Sequence, residues 1–174
     1  MTLAVPLAQD RIDHVGGIAA GTPLDALRRH REKVRDGTQG ADAVLFEDPA
    51  LEPQQRRERL QVAVYGAALS QANALVDSYA QQARQAGVSE AHIAALSAGD
   101  ASVIAEPALK AALDYTATLL LRPLAGDQQA LQQLQQAGMD TDQIVALSQL
   151  VAFLSFQVRM LAGLRALSEL EPGA

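Results

Sequence analysis

The 174-residue chain has no cysteine and no tryptophan, and it has only three phenylalanines and three tyrosines. The absence of cysteine excludes disulfides, thiolate-ligated zinc, iron–sulfur clusters and any cysteine nucleophile. The scarcity of aromatic and β-branched residues excludes an all-β fold, because sheets favour those side chains. The composition is instead dominated by helix-forming residues, with 34 Ala, 25 Leu and 18 Gln.

Basic residues are also in the minority. The chain has 14 Lys and Arg against 20 Asp and Glu, which gives a formal net charge of −6. Nucleic-acid binding depends on basic side chains that neutralise phosphates, so we expect no nucleic-acid partner. One short basic run, residues 28–35, lies among acidic residues and is interpreted as a solvated helix surface.

The sequence also has no hydrophobic run of membrane-spanning length. Its two longest uncharged stretches, residues 60–76 and 143–158, are shorter than the roughly 20 apolar residues that a membrane helix needs. The N-terminus does not have the basic start and apolar core of a secretory signal. We therefore expect a soluble, cytoplasmic protein with no membrane partner.

Helix start and stop signals predict about seven helices and no strand. An irregular arm over residues 1–21 precedes a helix that begins at Thr22-Pro23 and is stopped by Gly37 and Gly40. Apolar residues at helical spacing then predict a long helix up to Gly87, with a break near residue 70. Further helices are predicted at about residues 89–97, 107–121, 127–137 and 140–170.

These elements predict one compact all-α unit. Residues 1–47 would form an N-terminal arm and helix, and residues 48–174 would form the main helical domain. Residues 81–96 match residues 132–147 at eight of sixteen positions. Both segments read as a helix, a glycine stop and a new helix, which predicts two pseudo-repeated helix–turn–helix units in a compact bundle.

Three segments of the chain form a recognisable pattern: Tyr79-Ala-Gln-Gln-Ala-Arg-Gln-Ala-Gly-Val-Ser-Glu-Ala-His-Ile93, residues 106–119 and residues 137–159. In their order and spacing they resemble the alkylhydroperoxidase D and carboxymuconolactone decarboxylase superfamily, and the similarity covers roughly residues 50–170. Residues 15–28 resemble the N-terminal extension of a bacterial subgroup of carboxymuconolactone decarboxylase domain proteins. The resemblance implies an all-helical fold that assembles into homo-oligomers.

Peroxidase members of this superfamily carry Cys-x-x-Cys-x-x-x-His at a helix start, with a glutamate about twelve residues upstream; a helix N-terminus and a base lower the thiol pKa. The motif falls on two alternative sets of residues, Ser70, Asn73 and Asp77 when counted from Glu58, or Ala72, Leu75 and Tyr79 when counted from Gly87. Neither set contains sulfur, which excludes a thiol peroxidase reaction by this chain alone. Neither contains the histidine that the decarboxylase branch uses.

Five residues remain as candidates for a site. Glu58 is a candidate base, or alternatively a structural acid in the first turn of its helix that complements the helix dipole. Tyr79 is a candidate proton donor or a core tyrosine. Ser70 and Asn73 would line a pocket at the break or cap the helices there, and Arg159 is a candidate buried partner for an acid.

The sequence indicates no metal site and no cofactor. It has no pair of histidines at helical spacing, no Glu-x-x-His and no glycine-rich nucleotide motif.

Two functions remain open. The first is a non-redox helical oligomer that binds a small molecule or a partner, such as a cysteine-bearing homologue. The second is a cofactor-independent acid/base enzyme for a lactone or carboxylic acid, with Glu58 as base and Tyr79 or Ser70 nearby. The last helix is apolar around most of its circumference, which predicts a homo-oligomer. A pocket near residue 70 would be the discriminating feature.

Overall fold

The computed structural model describes residues 10–170, so the first nine residues of the predicted arm and residues 171–174 lie outside it. The described part contains no strand, which confirms the predicted all-α class. Its α-helices are α1 (Arg11–Val15), α2 (Pro23–His30), α3 (Glu32–Phe46), α4 (Pro53–Leu69), α5 (Asn73–Gln85), α6 (Glu90–Ser97), α7 (Pro107–Leu121), α8 (Gln128–Gln136) and α9 (Thr141–Leu170), with a short 3-10 turn at Pro123–Ala125.

Helix α4 lies at the centre of the bundle. Eight consecutive residues, 60–67, are buried, so this helix needs neighbours on every side. Helices α5, α6, α7 and α9 supply them. A β-carbon on Gly66 would lie 2.9 Å from Leu154 Cδ1, and the glycine therefore allows α4 and α9 to approach closely.

Helix α9 crosses the bundle and contacts α1, α2, α3, α4, α7 and α8. By length and composition it is the one helix in the described residues that is apolar enough to span a membrane. Its buried face, which includes Leu150, Leu154 and Gln157, packs into the protein core. Burial of this face against the other helices accounts for its apolar residues.

The predicted break near residue 70 is confirmed. Helix α4 ends at Leu69, α5 begins at Asn73, and Gln71 between them has a left-handed backbone with φ of 56°. The two segments with matching sequences, residues 81–96 and 132–147, are both helix–turn–helix units whose turn glycines have positive φ. Their common origin as a pseudo-repeat stays a prediction.

Two sequence predictions about the N-terminal part are wrong. The arm is not irregular throughout, because Asp10 caps α1 by accepting a hydrogen bond from the backbone of Ile12. Gly37 and Gly40 do not stop a helix; they lie inside α3, which runs on to Phe46. Each helix-interior glycine costs about 1 kcal/mol, and burial of Leu45 and Phe46 at the end of α3 outweighs the combined cost of about 2 kcal/mol.

The left-handed Gln71 generates a testable prediction about stability. We expect Gln71→Gly to raise the free energy of unfolding by about 0.5–1 kcal/mol, because relief of left-handed strain exceeds the added chain entropy. The matched control is Gln81→Gly, at an exposed position of α5. This change should instead lower the free energy of unfolding by about 1 kcal/mol. Urea denaturation measures both, and a loss of stability in Gln71→Gly would contradict the argument.

Candidate functional site

A cavity of about 530 Å³ lies at the break between α4 and α5, and we call it the break cavity. Its lining comes from the break and the first turn of α5, from the second half of α9, and from the end of α1. Its lining residues are Val15, Gly16, the six residues 70–75, Val158, Leu161, Ala162, Leu164, Arg165 and Ser168.

The structure places both predicted pocket residues, Ser70 and Asn73, in this lining. Ser70 is half-buried and ends α4, where its backbone N–H donates to the Gly66 carbonyl at 3.1 Å. Asn73 is exposed and begins α5. Both residues therefore hold boundary positions of helices and also border a cavity large enough for a small molecule.

Tyr79 lies one and a half turns further along α5, in the core. Its hydroxyl donates to Gln157 Oε1 at 2.6 Å, and its ring packs against Phe46 with the centroids 5.3 Å apart. The guanidinium carbon of Arg11 lies 4.9 Å from the centroid of the same ring. Burial is the main cause that raises the pKa of Tyr79 well above its ordinary value, so this phenol is a weak proton donor.

Comparison with known proteins identifies the fold. No protein-family model and no curated protein sequence matches the chain. A solved structure does match: an alkylhydroperoxidase AhpD core, an uncharacterized peroxidase-related protein from Ralstonia eutropha JMP134. The TM-score is 0.69 at 17% sequence identity, over 88% of this chain and 80% of that chain. The chain has the AhpD-like fold. The fold predicted from the family resemblance is thereby confirmed.

In this AhpD-like fold both alternative placements of the peroxidase motif surround the start of α5. Of the first set, Ser70 is half-buried and Asn73 and Asp77 are exposed. Of the second set, Leu75 and Tyr79 are fully buried. The start of α5 therefore presents hydroxyl, amide and apolar groups where the resemblance places two thiols and a histidine.

The structure does not bring Glu58 together with Tyr79 or Ser70. Glu58 is half-buried on α4, and its Oε1 accepts a hydrogen bond from Gln54 Nε2 at 2.7 Å. It borders a separate cavity of about 170 Å³, whose apolar lining includes Leu109 and Leu147. The acid/base constellation that the sequence suggested is thus divided among different parts of the fold.

Arg159 does not have the buried position that the sequence suggested. It lies on the exposed side of α9, and its Nη1 donates to the Ser155 carbonyl of the same helix at 2.9 Å. The long uncharged stretch before it does not bury it, because α9 turns this face away from the core. Arg165, one and a half turns later, is the arginine that borders the break cavity.

A second, more polar cavity of about 550 Å³ lies between α1, α3, α5 and α9, and we call it the Arg11 cavity. The Arg11 guanidinium donates to both oxygens of Asp42 at 2.7 Å, and also to Gln82 and Ser78. Burial disfavours its charge, but the hydrogen bond to Asp42 and nearby negative charges outweigh this and raise the pKa of Arg11. The guanidinium is therefore held in one orientation.

The basic run at residues 28–35 is only partly the solvated surface that the sequence predicted. Arg28 is buried and forms ion pairs with Asp10, at 2.7 Å, and with Asp13. Arg29 is largely exposed and pairs with Asp25 at 2.8 Å. Acidic neighbours thus pair with the first two arginines of this run, and the pairs made by Arg28 fasten α1 to α2.

Sequence reasoning missed the Arg11 cavity because its residues carry no local signal. Arg11 lay in a segment interpreted as irregular, Asp42 follows two helix-breaking glycines, and Gln157 is one of 18 glutamines. Their contacts join positions 31 to 78 residues apart. Within residues 10–170, no group of three His, Asp or Glu side chains is arranged to hold a metal ion.

The buried Tyr79 phenol generates a prediction about alkaline pH. Because burial raises the pKa of Tyr79 in the folded protein, the stability that the protonated phenol contributes is fully present below about pH 10. This contribution is lost as the pH rises further, because the tyrosine ionises more easily in the unfolded chain. We expect Tyr79→Phe to reduce this alkaline loss, and to cost about 1–3 kcal/mol at neutral pH, where Gln157 Oε1 loses its donor. Urea denaturation across this pH range measures both effects.

The control is Tyr115→Phe, which removes a buried phenol elsewhere in the core. Equal alkaline losses in the wild-type protein and in Tyr79→Phe would contradict the assignment.

Proposed function

We propose that the chain is a non-redox protein of the AhpD-like superfamily that binds a small molecule in the break cavity and has no thiol peroxidase activity of its own. The single observation that carries this proposal is the cavity of about 530 Å³ at the start of α5, bordered by Ser70 and Asn73. It lies where the resemblance places the reactive thiols, and the sequence has no cysteine to place there.

The lining of the break cavity favours an amphipathic ligand. Val158, Leu161 and Leu164 on α9 and Leu75 on α5 offer apolar surface. The turn at residues 70–73 offers hydroxyl, amide and backbone groups. The guanidinium of Arg165 is exposed and already paired with Glu169 at 3.1 Å. A molecule with an apolar body and a polar end would satisfy both parts of this lining.

The geometry favours binding over acid/base catalysis. A general base needs its partner groups within hydrogen-bond reach of one substrate. Glu58 shares its cavity with neither Tyr79 nor Ser70, and Tyr79 is fully buried under Arg11 and Phe46. A ligand-binding role needs none of these groups to act together.

We also propose that the chain forms a homo-oligomer through α9. Phe156 is 37% exposed and stacks on Phe153 at a centroid distance of 6.5 Å, and Val145 on the same helix is 49% exposed. Exposed apolar side chains on one central helix are typical of subunit contacts. A second copy of this chain is the partner that we expect.

Ligand binding and peroxidase activity can be tested together. We expect saturable fluorescence of anilinonaphthalene sulfonate, an apolar anion, and no reduction of cumene hydroperoxide beyond the dithiothreitol background. Ala162→Phe should weaken dye binding about tenfold, because the phenyl ring occupies the cavity. Ala166→Phe, exposed on α9 outside the lining, is the matched control. Hydroperoxide turnover would overturn the non-redox proposal, and identical dye binding by the two variants would overturn the site.

The oligomer is tested separately by light scattering at micromolar concentration. We expect a mass above 18.4 kDa for the wild-type protein and a monomer for Phe156→Asp, because the carboxylate would be buried without a partner at the interface. Val44→Asp places the same charge at an exposed valine of α3 and should leave the mass unchanged. A monomeric wild-type protein would contradict this proposal.

A further inference from the structure

The cavity that Glu58 borders is separate from both the break cavity and the Arg11 cavity, and no residue lines more than one of the three. We call it the Glu58 cavity. Its volume of about 170 Å³ is close to that of a protein cavity of about 150 Å³ that accommodates benzene. Helices α4, α7 and α9 and the turn before α9 form its lining. The proposed function assigns it no role.

The buried end of the Glu58 cavity is apolar, and its polar groups lie nearer to solvent. Its buried lining residues are Val62, Leu109, Ala112, Leu147 and Leu150. Its polar lining residues are all half-buried, and they are Gln55, Glu58, Arg59 and Gln143. An occupant that suits this lining has an apolar part at the buried end and a polar part at the half-buried end.

Two opposite charges at the half-buried end have no ion-pair partner. Glu58 accepts one hydrogen bond, from Gln54 to its Oε1, and its Oε2 accepts none from a described residue. Arg59 donates only through Nη1, to the carbonyls of Val44 and Leu45, so its Nε and Nη2 have no acceptor among the described residues. Neither side chain forms an ion pair within the described part of the chain.

The positions of these two charges prevent direct pairing between them. Glu58 and Arg59 are neighbours on α4, and adjacent positions on a helix do not face each other. Burial lowers the pKa of Arg59, and the negative charge of Asp48 offsets this effect only in part. The guanidinium charge is therefore under-compensated in the folded chain, and a bound carboxylate would compensate it.

We propose that the Glu58 cavity binds a free α-amino acid with an apolar side chain. Its ammonium group donates to the Glu58 carboxylate, and its carboxylate accepts from Nε and Nη2 of Arg59. Its side chain lies at the buried end, against Leu109 and Leu147. A purely anionic occupant would leave Glu58 without a partner, and a purely cationic one would leave Arg59 without a partner. A zwitterion with an apolar body matches all three parts of the lining.

The probes are three compounds that share one phenylalkyl body: L-phenylalanine has both charged groups, hydrocinnamate lacks the ammonium group, and phenethylamine lacks the carboxylate. Nuclear magnetic resonance on protein with isotope-labelled methionine methyl groups reports binding. Met139 lines the Glu58 cavity, whereas Met160 on α9 does not. We expect a saturable shift of the Met139 methyl with L-phenylalanine in the millimolar range. The other two compounds should bind about tenfold more weakly, because each leaves one charge unpaired.

Two variants and a control separate the two charges. Glu58→Gln should weaken the binding of L-phenylalanine about tenfold and leave hydrocinnamate unchanged, because hydrocinnamate has no ammonium group to lose a partner. Arg59→Gln should likewise weaken L-phenylalanine about tenfold and leave phenethylamine unchanged. Glu32→Gln, exposed on α3 outside the lining, should change neither. Glu58→Gln keeps the test valid if Arg59→Gln does not fold, because a glutamine oxygen can still accept from Gln54.

Four results would overturn this proposal. They are equal binding of the three compounds, no shift of the Met139 methyl with L-phenylalanine, and equal weakening of L-phenylalanine and hydrocinnamate in Glu58→Gln. The fourth comes from Ala162→Phe, which fills the break cavity and should leave the binding of L-phenylalanine unchanged. A loss of binding in that variant would place the amino acid in the break cavity instead.

Discussion

The complete burial of α4 is the constraint on which the rest of the structure depends. A helix with no solvent-facing side between Leu60 and Ala67 must be enclosed, and α5, α6, α7 and α9 enclose it. Gln61 in this stretch also has partners: its Nε2 donates to the Arg57 carbonyl, and its Oε1 lies 3.2 Å from His92 Nδ1. Because α5 packs along α4, the chain has to reverse direction where α4 ends, and the break at residues 70–72 makes this reversal.

How far the sequence predicted this structure depends on the range of the forces involved. Thr22, Ser89 and Asp140 cap helices where the sequence indicated caps, because capping acts within three residues. Gly37 and Gly40 misled the prediction, because packing at Phe46 outweighs a local preference. Ser70 and Asn73 were predicted from a motif position, and both border the break cavity; their part in binding stays a prediction. The Arg11 network was not, because nothing local marks a contact between residues 31 to 78 positions apart.

The AhpD-like fold and the peroxidase reaction are separable in physical terms. The fold depends on apolar faces and helix boundaries, and this chain has the fold at only 17% identity to the matching solved structure. The reaction depends on a polarisable sulfur whose charge a helix start stabilises. Here the start of α5 has Leu75 and Tyr79 in the core and no thiol. The fold therefore does not require a thiol at this helix start, and in this chain the break cavity borders it.

Helix α1 has only five residues, yet it forms part of the wall of both cavities. Arg11 and His14 border the Arg11 cavity, while Val15 and Gly16 border the break cavity. Because α1 is one short helix, a displacement of it would change the space in both cavities at once. The ion pairs that fasten α1 to α2 and α3 set how stiff this shared wall is.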